Sequence, residues 1–163
     1  MDPATSAPDH REIERKFKVL HDGWRAQVEG EPITMRAGYL SRRPEATIRI
    51  RFEGDDAVLT IKGMAIDTDG RERPEHNFHI PVDQAEAILA GPMVDGSIVR
   101  KVRYPVRVGQ SLYTVDVFDY PRPGLVLAEI ELPDRHASFE RSDWLGEEVT
   151  SDWTYSNAAI AAD

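Results

Sequence analysis

Polar, mostly charged, and apolar residues alternate one by one in short segments spread along this chain: Glu12-Ile13-Glu14, Arg49-Ile50-Arg51, Thr60-Ile61-Lys62, Lys101-Val102-Arg103 and Glu129-Ile130-Glu131. In a β-strand successive side chains point to opposite faces, so each segment sets its polar groups on one side and an apolar residue on the other. An amphipathic strand usually turns its polar face to water. Here that face is almost purely ionisable, basic on some strands and acidic on others, which suits the lining of a polar cavity.

Runs of this β character cover residues 11–20, 32–41, 46–54, 56–64, 73–81, 97–107, 111–120 and 125–133. Turn signals at Gly54-Asp55, Gly109-Gln110 and Pro121-Arg122-Pro123-Gly124 separate several of them. The pattern therefore predicts eight strands. Helical composition interrupts them at 22–28 and 83–89, and residues 151–162 read as a short C-terminal helix capped by Ser151 or Asp152. Periodicity alone does not separate a barrel from a sandwich. The chemistry favours a barrel: burying one unpaired charge costs several kcal/mol, so inward charges of both signs require a wet, ligand-filled interior.

At 163 residues the chain fits one domain, expected at 11–163 behind a disordered leader at 1–10. A net charge of −9 opposes nucleic acid backbones and anionic membranes as partners, and an anionic ligand must be held by a local basic cluster. The absence of cysteine excludes disulfides, thiolate metal sites and cysteine nucleophiles. No signal peptide and no apolar run of membrane-spanning length is present, so a cytoplasmic location is expected.

Further segments share the order of a known family: Gly38-Tyr39-Leu40, Leu59-Thr60-Ile61-Lys62-Gly63, Arg73-x-Glu75, Asp116-x-Phe118, Ala128-Glu129-Ile130-Glu131-Leu132, Trp144-Leu145-Gly146-x-Glu148-Val149-Thr150 and Tyr155-Ser156-Asn157. With Glu12-x-Glu14-x-Lys16 at the front, the chain resembles the CYTH domain, or triphosphate tunnel metalloenzyme, family over about residues 11–162. That resemblance implies a mainly β (α+β) fold, a closed eight-stranded antiparallel β-barrel forming a tunnel, with a few short peripheral helices. It also implies a linear triphosphate substrate and a divalent cation, Mg2+ or Mn2+. Inorganic tripolyphosphate is the expected substrate. Thiamine triphosphatase, class IV-type adenylate cyclase and a non-catalytic polyphosphate or nucleotide binder stay open as alternatives, as does a homodimer.

Hard cations take oxygen ligands, and the expected metal ligands are Glu12, Glu14, Asp116, Glu129 and Glu131. One ion would sit on Glu129, Glu131 and Asp116, and a second, on Glu12 and Glu14, would orient the attacking water. Arginine forks and lysine point charges suit phosphate oxygens, so Lys16, Arg49, Arg51, Lys62, Arg73, Lys101 and Arg103 are the expected substrate contacts, with Glu75 on the same wall. Glu12, Glu14 and Lys16 form the expected catalytic group. Arg36, Arg42, Arg43, Arg71 and Arg107 fall in turns or out of phase and are left outside the site. Trp24 and Trp144 read as core, whereas Trp153 could cover a tunnel mouth. Asn77, His79, Thr154 and Ala37 depart from the family pattern and bear on substrate choice.

Overall fold

A computed structural model describes residues 10–163; the expected leader, apart from His10, lies outside the described residues. The strands are β1 (Arg11–Val19), β2 (Ile33–Arg43), β3 (Ala46–Glu53), β4 (Asp56–Gly63), β5 (Glu72–His79), β6 (Val99–Val108), β7 (Ser111–Tyr120), β8 (Val126–Glu131) and β9 (Leu145–Glu148). Their order is β5-β4-β3-β2-β6-β7-β8-β1-β9, and a pairing of β5 with β1 closes the first eight into a barrel. All pairings are antiparallel. Two-residue turns join β3 to β4 and β6 to β7, and each uses a glycine at positive φ, 56° at Gly54 and 58° at Gly109. A side chain at either position would be strained.

The apolar core lies mostly outside the barrel wall. Phe17, Val115, Ala128 and Ile130 face outward and are covered by Trp24 and Trp144, all almost fully buried. Trp24 comes from a 3-10 turn at Asp22–Gln27, and Trp144 donates its indole N–H to Gln27 Oε1 at 2.6 Å. On the far side, α1 (Val82–Ala90) packs Ala85 against Ile50, Phe52 and Ala57. One end of the lumen is closed by α2 (Asn157–Ile160), whose Ala158 and Ile160 meet the inward-facing Tyr39, Val99, Phe118 and Leu127. With its outer face buried under helices and loops and one end plugged, the barrel leaves its mid-section free to hold charge.

Three local readings of the sequence change. The 22–28 stretch forms a 3-10 turn over Asp22–Gln27, capped by His21 Nδ1, which accepts the Gly23 N–H at 3.1 Å, and ended by Val28, whose backbone is extended and whose N–H returns to the Arg25 carbonyl. The C-terminal helix is split: Asp152 caps only the 3-10 turn Trp153–Tyr155, and Ser156, with extended backbone, caps α2 through its bond to Ala159 N. β9 is additional, and it pairs with β1.

Candidate active site

Register brings the alternating segments onto one inner surface. Across β2, β3 and β4, Tyr39 pairs with Arg49 and Arg49 with Thr60; across β6 and β7, Arg103 pairs with Asp116; across β1 and β8, Glu14 pairs with Glu131 and Lys16 with Glu129. An inner cavity of about 40 Å³ is lined by Glu14, Lys16, Thr47, Arg49, Thr60, Lys62 and Arg73. It shares Glu14, Lys16, Arg73 and Trp153 with a mouth of about 310 Å³ that also exposes Met64, Thr150 and Asp152.

Ion pairs order much of this surface. Lys62 Nζ stands 2.6 Å from Glu12 and 3.6 Å from Glu75. Lys16 Nζ is 3.2 Å from Glu129 and donates to the Tyr155 carbonyl at 3.1 Å. Lys101 Nζ is 2.6 Å from Asp116 Oδ2, and Arg103 grips both oxygens of Asp116 at 2.7 and 2.9 Å. Arg73 is anchored by Nε to the Gly63 carbonyl at 3.0 Å and sits 6.0 Å from the Trp153 ring.

Two patches are left short of counter-charge. At the acidic one, burial together with the charges of Glu12 and Glu129 pushes the Glu14 carboxyl up to about 8. Glu14 touches the cavity and keeps some exposure, but protein surrounds it elsewhere, and no cation of the described residues lies within ion-pair distance. Its register partner Glu131 is also raised, by burial and then by Glu75 and Glu14. At the basic patch, burial and the neighbouring Arg49 lower Arg51 to about 10. Burial and Arg103 lower Lys101 to about 8, against the pull of Asp116. The Nε atoms of Arg49 and Arg51 are buried without a hydrogen-bond acceptor; the carboxylate of Glu53 is 3.2 Å from Arg51 Nε but out of line for such a bond.

Between these patches the charges balance. Burial opposes ionisation of Glu129, yet Lys16 and Arg103 outweigh it and hold the carboxyl well below its ordinary range. Lys62 is likewise raised, because Glu12 and Glu14 outweigh its burial.

The donor chemistry fits a hard divalent cation. Glu12, Glu14, Glu129 and Glu131 supply only oxygen, and Glu14 is a buried carboxyl that a cation would relieve of repulsion. Among the described residues no ready-made cage of three acidic or histidine side chains exists, because Lys62 and Lys16 occupy oxygens of Glu12 and Glu129. Asp116, expected among the metal ligands, has both oxygens committed to Lys101 and Arg103.

The structure thus gathers Glu12, Glu14, Lys16, Arg49, Lys62, Arg73 and Glu75 around the cavity and its mouth, with Lys101, Arg103, Asp116 and Glu129 alongside. Arg51 shares a small neighbouring cavity with Arg49 and Lys101. Glu131 lies at the exposed rim. The arginines left aside are engaged on the surface, Arg36 with Glu86, Arg42 with Asp95 and Arg107 with Glu29. Thr47 and Thr60 also line the cavity and are not among the expected site residues; Thr60 shares the polar face of Lys62, and the two-residue spacing of Thr47 from Arg49 marks it as inward too. Asn77, expected from the sequence to bear on substrate choice, accepts from Thr60 Oγ1 at 2.7 Å and donates to Glu75 at 2.8 Å, so it joins two elements of one wall.

Comparison with known proteins agrees with this geometry. The CYTH domain profile matches residues 10–158. An inorganic triphosphatase of Acetivibrio thermocellus is 36% identical over 150 residues, covering 92% of each chain. An inorganic triphosphatase of Nitrosomonas europaea is 35% identical over 157 residues, covering 92% of this chain and 96% of that one. The crystal structure of the inorganic triphosphatase NE1496 superposes with a TM-score of 0.64 at 32% identity, covering 93% of this chain and 95% of that one.

Proposed function

The chain belongs to the CYTH domain family, and on that premise we propose that it is a divalent-metal-dependent triphosphatase acting on inorganic tripolyphosphate. The observation that carries the reading is a pair of under-compensated patches in one lumen: around Arg49, Arg51, Lys101 and Arg103 the cations outnumber the carboxylates of Glu53 and Asp116, and Glu14 and Glu131 have no cation within ion-pair distance among the described residues. A polyanion arriving with its cation supplies both missing counter-charges. The names of the two relatives support the inorganic substrate.

In this reading Arg49, Arg51, Lys62, Arg73, Lys101 and Arg103 bind successive phosphoryl groups, and Asp116 fixes the last two of these cations in place. Glu12, Glu14, Glu129 and Glu131 hold Mg2+ or Mn2+. Bound there, the ion neutralises phosphate oxygens and lowers the pKa of a water. Lys16, tethered to Glu129 and the Tyr155 carbonyl, stands at the junction of the two patches and orients the terminal phosphoryl group. The reading adds a cytoplasmic location, with a homodimer as the assembly to look for; no helix among the described residues is long and apolar enough to cross a membrane.

The test is to incubate the purified protein with tripolyphosphate or ATP, each with Mg2+ or Mn2+, and measure phosphate, pyrophosphate and cyclic AMP. Metal-dependent phosphate release from tripolyphosphate is expected. Pyrophosphate and cyclic AMP from ATP, without tripolyphosphate turnover, would replace this reading with the cyclase.

A further inference from the structure

Along one edge β1 changes partners. Residues 11–13 pair with β5, and Phe17 and Val19 pair with β9, so Glu14, Arg15 and Lys16 lie in a split where neither strand reaches them. The even-numbered residues turn their backbone groups to this edge. The Glu14 N–H is met by the Arg71 carbonyl at 2.9 Å, and the Lys16 carbonyl accepts from Val149 N–H at 2.8 Å. The Lys16 N–H has no backbone acceptor and donates instead to Thr150 Oγ1 at 3.0 Å.

That hydroxyl is itself held. It donates to Glu148 Oε2 at 2.6 Å, and Arg15 binds Glu148 with Nε 2.9 Å from Oε2 and Nη2 on Oε1. The bonds form a closed loop, from the Lys16 backbone through Thr150 and Glu148 to the Arg15 side chain and back along β1. Arg15 points outward and the loop lies outside the lumen, so none of its polar atoms is spent on the inner charges.

We infer that Thr150, oriented by Glu148, is a positioning residue for Lys16 and Glu14, replacing the backbone acceptor missing on this edge of β1 in the stretch that carries these two inward groups of the site. The inference rests on the proposed function in taking these two side chains to face the substrate. Here β1 is laddered to β8 on its other edge only; a strand held on one edge can shift its side chains, and misplacement of about 1 Å costs on the order of a hundredfold in rate. Removing the hydroxyl also leaves a backbone N–H without its acceptor.

The test compares the full-length wild type with Thr150→Val, which keeps the shape and loses the hydroxyl, and Thr150→Ser, which keeps the hydroxyl. Turnover of tripolyphosphate with Mn2+ is measured well below every variant's melting temperature. Thr150→Val is expected to lose about tenfold or more in kcat, with a smaller change in KM, and Thr150→Ser to stay within about threefold of wild type. A Thr150→Val enzyme with wild-type kcat, whether or not its melting temperature falls, overturns the inference, and so does an equal loss in Thr150→Ser. Should Thr150→Val fail to fold, Glu148→Gln takes its place; a smaller kcat loss is expected, and none overturns the inference. A wild type without turnover would count against the triphosphatase reading itself. Calorimetric binding of metal-free tripolyphosphate then decides: weakening by about tenfold in Thr150→Val alone supports the role of Thr150, and equal affinities, or no binding by wild type, overturn it.

Discussion

Lys101 Nζ lies 2.6 Å from Asp116 Oδ2, and neither side chain has more than 7% of its surface exposed. Breaking such a buried pair by removing one partner strands the other charge, at a cost of roughly 3–5 kcal/mol. Asp116 also holds Arg103, so Asp116→Asn strands two cations. Its unfolding free energy in urea should drop by about 3 kcal/mol or more without any ligand present. A residue serving only as a metal ligand would give the opposite result, because removing a carboxylate from a crowded acidic site relieves repulsion when no metal is bound.

The basic patch should behave in reverse. Arg51 is crowded by Arg49 and pushed down to about 10 by burial and that repulsion. Arg51→Met removes a poorly compensated charge and keeps much of the packing, so the melting temperature without ligand should hold or rise. Turnover of tripolyphosphate should fall by 1–3 kcal/mol in apparent transition-state energy, as expected for a lost charge-assisted contact. A variant that kept wild-type kcat/KM would remove Arg51 from the substrate wall.

Strand parity made much of this legible. The two-residue spacing of Arg49 and Arg51, or of Glu129 and Glu131, is enough to put each pair on one face, and the ionic character of those faces pointed to a closed barrel with a wet lumen. Which charge meets which was not legible. Arg103 faces Asp116 because of the register of a hairpin, and Lys16 faces Glu129 across strands more than a hundred residues apart, set only when the barrel closes. β9 escaped because Leu145-Gly146-Glu147-Glu148 is four residues long, contains glycine and does not alternate. Thr150 escaped for another reason. Its role is to accept a backbone N–H in a split between strands, and no spacing in the sequence marks that position.

Glu148 gives a pH-dependent prediction. The hydrogen bond from Arg15 comes first among the influences that lower its pKa, and the bond from Thr150 adds to it, against partial burial. A carboxyl depressed in the folded state contributes stability above its unfolded value, about 4.3, and loses that contribution as pH falls through the lower folded value. The pair is partly exposed, so the contribution should be about 1 kcal/mol. Urea titrations of wild type and Glu148→Gln should differ by that amount at pH 7 and converge as the pH falls through the depressed folded value. A constant difference across the range would assign the effect to packing.

The two glutamates of β8 should separate cleanly, although both are assigned to the metal. Glu129 is the buried counter-ion of Lys16, with Arg103 3.8 Å away, and its pKa is held down by them despite burial. Glu131 sits at the rim with its pKa raised by burial, Glu75 and Glu14. Replacing Glu129 by Gln therefore removes both a metal oxygen and a structural charge, and the variant should lose turnover together with roughly 2 kcal/mol of stability. Glu131→Gln should lose turnover while its metal-free stability at pH 8 stays level or rises, since a repelled carboxylate is gone. Excess Mn2+ should raise the melting temperature of wild type by mass action, and less so that of either variant. If Glu131→Gln turned over tripolyphosphate at the wild-type rate and kept the full Mn2+-induced shift, Glu131 would be a solvated rim charge and the metal would rest on Glu12, Glu14 and Glu129 alone.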